Sequence, residues 1–194
     1  MRLRPLTAFA PLFLFAAAPA PAAETVALPR FEGIELKGGG SVGIRHGAVQ
    51  RVTLVEGSTS QTGVRVESRG RNGHGRLVVE ACRERCPRDY RLRVEIVTPD
   101  LSAVAVNGGG RIDVVSGFAP RRNVAAAVNG GGQIDLRALP ARDVAAAVNG
   151  CGELRVTATG SLAASINGGG AILYWGDPRV ATAIRGGGAV TRGR

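Results

Sequence analysis

Asp113 and Asp135 each stand three residues beyond a glycine triplet, in the contexts Gly-Arg-Ile-Asp and Gly-Gln-Ile-Asp. If these two segments are neighbouring strands in register, their carboxylates lie about 4.8 Å apart. That is close to the roughly 5–5.5 Å that separates the acid pair of retaining glycosidases. No aromatic platform for a sugar accompanies either acid, however, and the matching position in the next copy is Arg155, a ready partner for Asp135. The acids therefore read as a charge ladder, and no catalytic residue is assigned. A polysaccharide-active enzyme using Asp113 and Asp135 stands as the alternative.

The remaining reactive side chains point to structure. Cys82 and Cys86, in Cys-Arg-Glu-Arg-Cys-Pro, lie between two strand-like runs and can close a small loop as a disulfide in an oxidising compartment. A zinc site would need two further ligands, and only His46 and His74 are on offer, so no metal is assigned. Both histidines lie in glycine-rich stretches and read as surface residues. Cys151 stands where its neighbours in the repeat have glycine and reads as a tolerated small residue. Aspartate follows only two of the turns, at the wrong spacing for a calcium-binding roll, and a glycine triplet without a following Lys-Ser/Thr is no phosphate loop. No cofactor is expected.

What positions these residues is a repeat. Asn-Gly-Gly-Gly occurs at 107–110, 129–132 and 167–170, Asn149-Gly150-Cys151-Gly152 is a variant, and Arg185–Gly188 extends the series in steps of 22, 20, 18 and 18 residues. Lys37–Gly40 is an outlying first copy. Around each turn apolar residues alternate, as in Val104/Val106 before the first full turn and Ile112/Val114 after it, which is the period of a half-buried strand. A meander would alternate its turn chemistry between two ends. The same turn in the same strand context every 18–22 residues predicts instead a parallel solenoid with like residues in columns. The inward columns are expected to be Val106, Val128, Val148, Ile166, Ile184 and Ile112, Ile134, Leu154, Ile172, Val190. Outward, Ala105, Ala127, Ala147, Ser165 and Ala183 would form a flat column of small side chains. Gly108, Gly130, Gly150 and Gly168 supply the corner. Asn107, Asn129, Asn149 and Asn167 would stack as an amide ladder, each side chain both donating and accepting. Tyr174 falls on the inward phase, so Tyr174-Trp175 reads as a plug on the last coils. An open strand edge at the final coil offers a route to self-association.

The chain opens like an export signal. Arg2 and Arg4 precede an apolar run from Leu6 to Ala18, and Ala20-Pro21-Ala22 suits a signal peptidase. The run is too short to span a bilayer, and no cysteine follows it for a lipid anchor. Cleavage after Ala22 would leave 172 residues and lower the formal charge from +10 to +8. Residues 23–30 are then a short extension and 31–194 one domain, with a less regular β half over 31–100. Its only aromatics are Phe31, Tyr90, Phe118, Tyr174 and Trp175, so Val, Ile, Leu and Ala must fill a narrow core. The basic balance is almost all arginine, scattered and without a nucleic-acid motif, so no specific nucleic-acid partner is expected. No transmembrane segment is expected in the mature chain.

The Phe31-x-x-Ile34-x-Leu36 opening, the Gly38–Gly40 turn, the Thr98-Pro99-x-Leu101 step and the repeated glycine turns resemble the head GIN domain family, which carries an auto-transporter adhesin label. The resemblance covers about residues 31–194. It implies a right-handed β-helix-like fold in an exported envelope protein, and it brings no catalytic residues. The expected role is a non-catalytic binding or structural module, periplasmic or extracellular, acting on an envelope glycan or a protein ligand.

Overall fold

The computed structural model describes residues 23–68 and 75–194. The proposed signal segment and His74 lie outside them. All the described secondary structure is β, in one mixed sheet of fifteen strands. No described helix is long and apolar enough to cross a membrane.

The sheet is organised as two ladders of parallel strands, one on each side of the glycine corners. In the ladder before the corners, β2 (Phe31–Lys37) lies between β6 (Gly75–Glu80) and β8 (Ala103–Gly108). It continues through β10 (Arg121–Gly130), the second half of β11 (Gln133–Gly150), the second half of β12 (Glu153–Asn167) and β14 (Arg179–Arg185). In the ladder after the corners, β3 (Ser41–His46) lies between β7 (Arg93–Thr98) and β9 (Arg111–Ser116). From β9 it runs through the first halves of β11 and β12 to β13 (Ala171–Trp175) and β15 (Ala189–Arg192). Every pairing over residues 101–194 is parallel and joins equivalent repeat positions. Val106, Val128, Val148, Ile166 and Ile184 are Cα partners in sequence, as are Ile112, Ile134, Leu154, Ile172 and Val190.

The irregular half shares this sheet. β6 and β7 form a coil on the far side of β2 and β3, so β8 and β9 return across it to pair with β2 and β3. That end is closed by antiparallel strands: β5 (Gly63–Ser68) on β6, β4 (Arg51–Glu56) on β7, and β1 (Glu24–Val26) on β4. Thr98 is fully buried at the passage into the regular stack, where its Oγ1 donates to Asp100 O at 2.9 Å and accepts from Gln50 Nε2 at 3.2 Å.

The core is the sealed interior of the coils, built from Ile34, Leu36, Ile44, Leu77, Ile96 and the inner columns of valine, isoleucine and leucine. The expectation for the columns fails at the last coil. Ile184 is 43% exposed and all seven residues of β14 are open to solvent. No described strand stacks beyond β14 and β15, which leaves Ile184 uncovered, while Val190 of β15 stays partly buried against the core.

The three turn positions have different duties. A Cβ on Gly150, whose φ is +121°, would sit 2.5 Å from Gly130 O of the previous coil, and one on Gly152 would meet Val128 at 2.4 Å. At Gly131, between these positions in the previous corner, nothing lies within 4 Å. Cys151 occupies this free middle position and is exposed, which accounts for its replacing glycine there. Cys82 and Cys86 are bonded to each other. Unfolded oxidised protein is therefore expected to show one titratable thiol, from Cys151, by a chromogenic thiol assay. Gly150→Ala should lower stability by about 1–3 kcal/mol through backbone strain, whereas Gly131→Ala should stay within about 0.5 kcal/mol of the parent. Urea midpoints of the two variants check this.

Candidate functional site

The outward positions of the first ladder carry small residues on every coil from β8 to β14. Ala103 and Ala105 are followed in register by Ala125/Ala127, Ala145/Ala147, Ala163/Ser165 and Ala181/Ala183. Instead of a flat strip they form the floor of a trough of about 760 Å³, within the usual size of ligand clefts. Its floor is almost all methyl groups.

Asn107 and Asn129 stand along one side of this trough. Asn107 Nδ2 donates to Glu35 Oε1 at 2.5 Å, Asn129 Nδ2 to Asn107 Oδ1 at 2.6 Å, and Asn149 Nδ2 to Asn129 Oδ1 at 2.9 Å. Asn167 continues the column as the Cα partner of Asn149. The amides therefore run up the stack from a buried carboxylate. Glu35 is only 4% exposed and closes the end of the trough, in register with Ala105. Its Oε2 lies 3.0 Å from Arg76 Nη1, an ion-pair contact outside hydrogen-bonding geometry, and Lys37 Nζ is 3.8 Å from Oε1. This acid was overlooked in the sequence, although the alternation Ile34-Glu35-Leu36 places it outward beside the small-residue column.

The second ladder presents a different surface. Asp113 and Asp135 are Cα partners on adjacent strands, as the repeat requires, with Arg155 next. Each acid is tied to arginine. Arg111 Nε donates to Asp113 Oδ2 at 2.7 Å; Arg137 grips Asp135 through Nη2 at 2.7 Å and Nε at 3.0 Å, and Arg155 Nη1 adds a 3.6 Å contact. Burial alone would raise the Asp135 carboxyl, but the hydrogen bonds and charge of Arg137, with Arg155 behind, outweigh it and hold the group below the usual carboxylate range. A general acid for glycoside cleavage needs the opposite shift. The Arg137 guanidinium also lies 5.1 Å over the Trp175 ring. Trp175 thus packs against the outside of the coils, while Tyr174 packs partly buried on the core. His46 is exposed and meets Phe118 edge-on at 5.4 Å. No cluster of metal-binding side chains occurs among the described residues.

The whole is an all-β, mixed, nearly barrel-shaped sheet with an apolar outer trough, and its likeness to solved structures is one of fold. A crystal structure described as a putative adhesin from Bacteroides fragilis is 16% identical, with 88% of this chain and 96% of that one covered at a TM-score of 0.54. Weaker likenesses are to a putative adhesin from Parabacteroides distasonis (15% identical, 88% and 96% covered, TM-score 0.43) and a putative cell adhesion protein from Clostridium sporogenes (10%, 89% and 98%, 0.44). No curated protein matches. Residues 30–121 and 114–178 match the family described as "Putative auto-transporter adhesin, head GIN domain", and the chain belongs to that family.

Because the folded Asp135 carboxyl is held below its unfolded value, its stabilisation is present at neutral pH and is lost as pH falls through that lowered value. Asp135→Asn should therefore flatten part of the acid limb of the stability–pH curve and leave the curve above neutrality parallel to the parent's. Chemical denaturation across an acid pH series measures it.

Proposed function

We propose that the protein is an exported, non-catalytic binding or structural module of the cell envelope or surface. In this reading residues 1–22 are removed and residues 31–194 wind as a right-handed parallel β-helix-like solenoid. The single observation that carries the binding role is the methyl-floored trough spanning the coils from β8 to β14, with buried Glu35 at its end. The adhesin names of the family and of the Bacteroides fragilis structure support a surface role. Parallel, in-register pairing of equivalent repeat positions supports the solenoid.

The asparagine column is assigned to the scaffold: its side-chain amides link successive strands to one another and border the trough. The acids on the opposite ladder are assigned to charge balance. An exposed trough without rings favours an extended glycan or a protein segment as ligand over a stacked sugar.

Filling the trough tests this. In a screen of the purified protein against envelope glycans and surface proteins, Ala127→Arg and Ala147→Arg should abolish binding, and Asp135→Ala should leave it unchanged. Glycan reducing ends should not increase on incubation with the protein. Reducing-end release that disappears in Asp135→Ala would replace this reading with the enzymatic one.

A further inference from the structure

One corner of the stack is built differently from the rest. The chain passes from β2 to β3 through residues 38–40 and from β8 to β9 through residues 109–110. From β6 to β7 it takes residues 81–92, although these strands lie parallel to β2 and β3 in the same ladders. The glycine turn is thus expanded into a loop at the same corner. In repeat scaffolds such local insertions commonly carry binding.

The loop is held firmly. Ala81 N donates to Lys37 O and Ser41 N to Leu92 O, both at 2.9 Å, so its two ends are stitched to the neighbouring glycine corner. Cys82 and Cys86 close its first turn. Tyr90 fixes the far side, with its hydroxyl 2.5 Å from the buried Thr62 Oγ1 and accepting from Ser58 N at 3.2 Å.

On this support stand Arg83, Arg85, Arg88 and Arg91, all exposed, against only Glu84 and Asp89, a formal surplus of two positive charges, with Arg93 next to them at the start of β7. On the second ladder arginines are paired with acids, as at Asp113, Asp135 and Glu153. Here, among the described residues, only Arg93 has an acidic partner, Glu95 at 3.8 Å. Un-neutralised guanidinium groups on a pre-ordered loop are suited to carboxylates, which they can grip with two parallel hydrogen bonds.

We propose that the loop of residues 81–92 is a docking site for an anionic polysaccharide bearing carboxylate groups, separate from the trough. The loop exposes no large apolar side chain to enter a bilayer, which argues against a membrane surface. It offers no exposed ring on which nucleic-acid bases could stack. It also has neither the free strand edge nor the side-chain pockets by which extended peptides are captured.

The test is binding of the oxidised full chain to immobilised polygalacturonate at near-physiological salt, with neutral dextran, poly-glutamate and phosphatidylglycerol vesicles as comparisons. Binding to polygalacturonate and not to dextran is expected. The triple variant Arg85→Ser/Arg88→Ser/Arg91→Ser should weaken it about tenfold or more. Arg122→Ser/Arg142→Ser/Arg179→Ser, with the same loss of charge elsewhere, should change it less than about twofold. Cys82→Ser/Cys86→Ser keeps every arginine but frees the loop, and it should also bind more weakly. Failure to bind polygalacturonate, or equal weakening by both triple variants, would overturn the proposal. So would tighter, loop-dependent binding to poly-glutamate or the vesicles. Ala127→Arg, which fills the trough, should leave this binding intact, so the two sites stand or fall separately.

Discussion

The close approach of backbone at the glycine corners governs everything built on it. The first glycine of each corner lies so near the preceding coil that a Cβ would fall 2.5–2.7 Å from the carbonyl oxygen below it, at Gly108, Gly130, Gly150 and Gly168 alike. That contact leaves no freedom for one coil to slide along the next. With the register fixed at the corner, each position of the repeat becomes a column, and the character of a column is the character of one residue type repeated. Valine and isoleucine give a sealed interior, asparagine a chain of amide hydrogen bonds, alanine a methyl floor. The aspartates and arginines beyond the corner give alternating charge.

The two outer faces consequently differ in chemistry while sharing one backbone. On the second ladder each acid sits against a guanidinium, and the more exposed pairs, such as Arg111 with Asp113, contribute little to stability, about 0–1 kcal/mol each. Their main effect is to leave that surface electrostatically quiet. On the first ladder the floor is apolar, and Glu35 closes one end with Asn107, Arg76 and Lys37 around it. The arginine-bearing corner follows β6, the strand that also supplies Arg76. Unbalanced positive charge thus sits at the end of the stack closed by antiparallel strands, beyond the end of the trough that Glu35 marks.

Much of this was legible in the primary structure because it is periodic. A turn that recurs with the same flanking alternation specifies both the partners and their alignment, as Val106, Val128 and Val148 illustrate. The paired cysteines could be read from their spacing and surroundings. What was hidden is non-local. Nothing in Gly75–Glu80 announces that it lies on the opposite side of Phe31–Lys37 from Ala103–Gly108, because that choice is made by contacts some 70 residues apart, such as Asn107 to Glu35. The cleft over the alanine face is lined by residues from β2 to β14, so no single strand encodes it. The exposure of Ile184 reflects its place on the last coil and not its phase. Arg137 as the grip on Asp135 was within reach, since residues two apart on a strand share a face. The expanded corner at 81–92 was visible as a cysteine-bounded segment, but its equivalence to a glycine turn required the strand partners on either side.

Cys151 also reveals where the architecture tolerates variety. Its thiol stands at the one corner position whose counterparts at Gly109, Gly131 and Gly187 look into empty space. These sites follow one another up the outside of the stack at the pitch of the sheet, about 4.8 Å. Side chains could be exchanged there without disturbing the rungs beneath, so the corner edge is a ruled line on which new chemistry can be written one coil at a time.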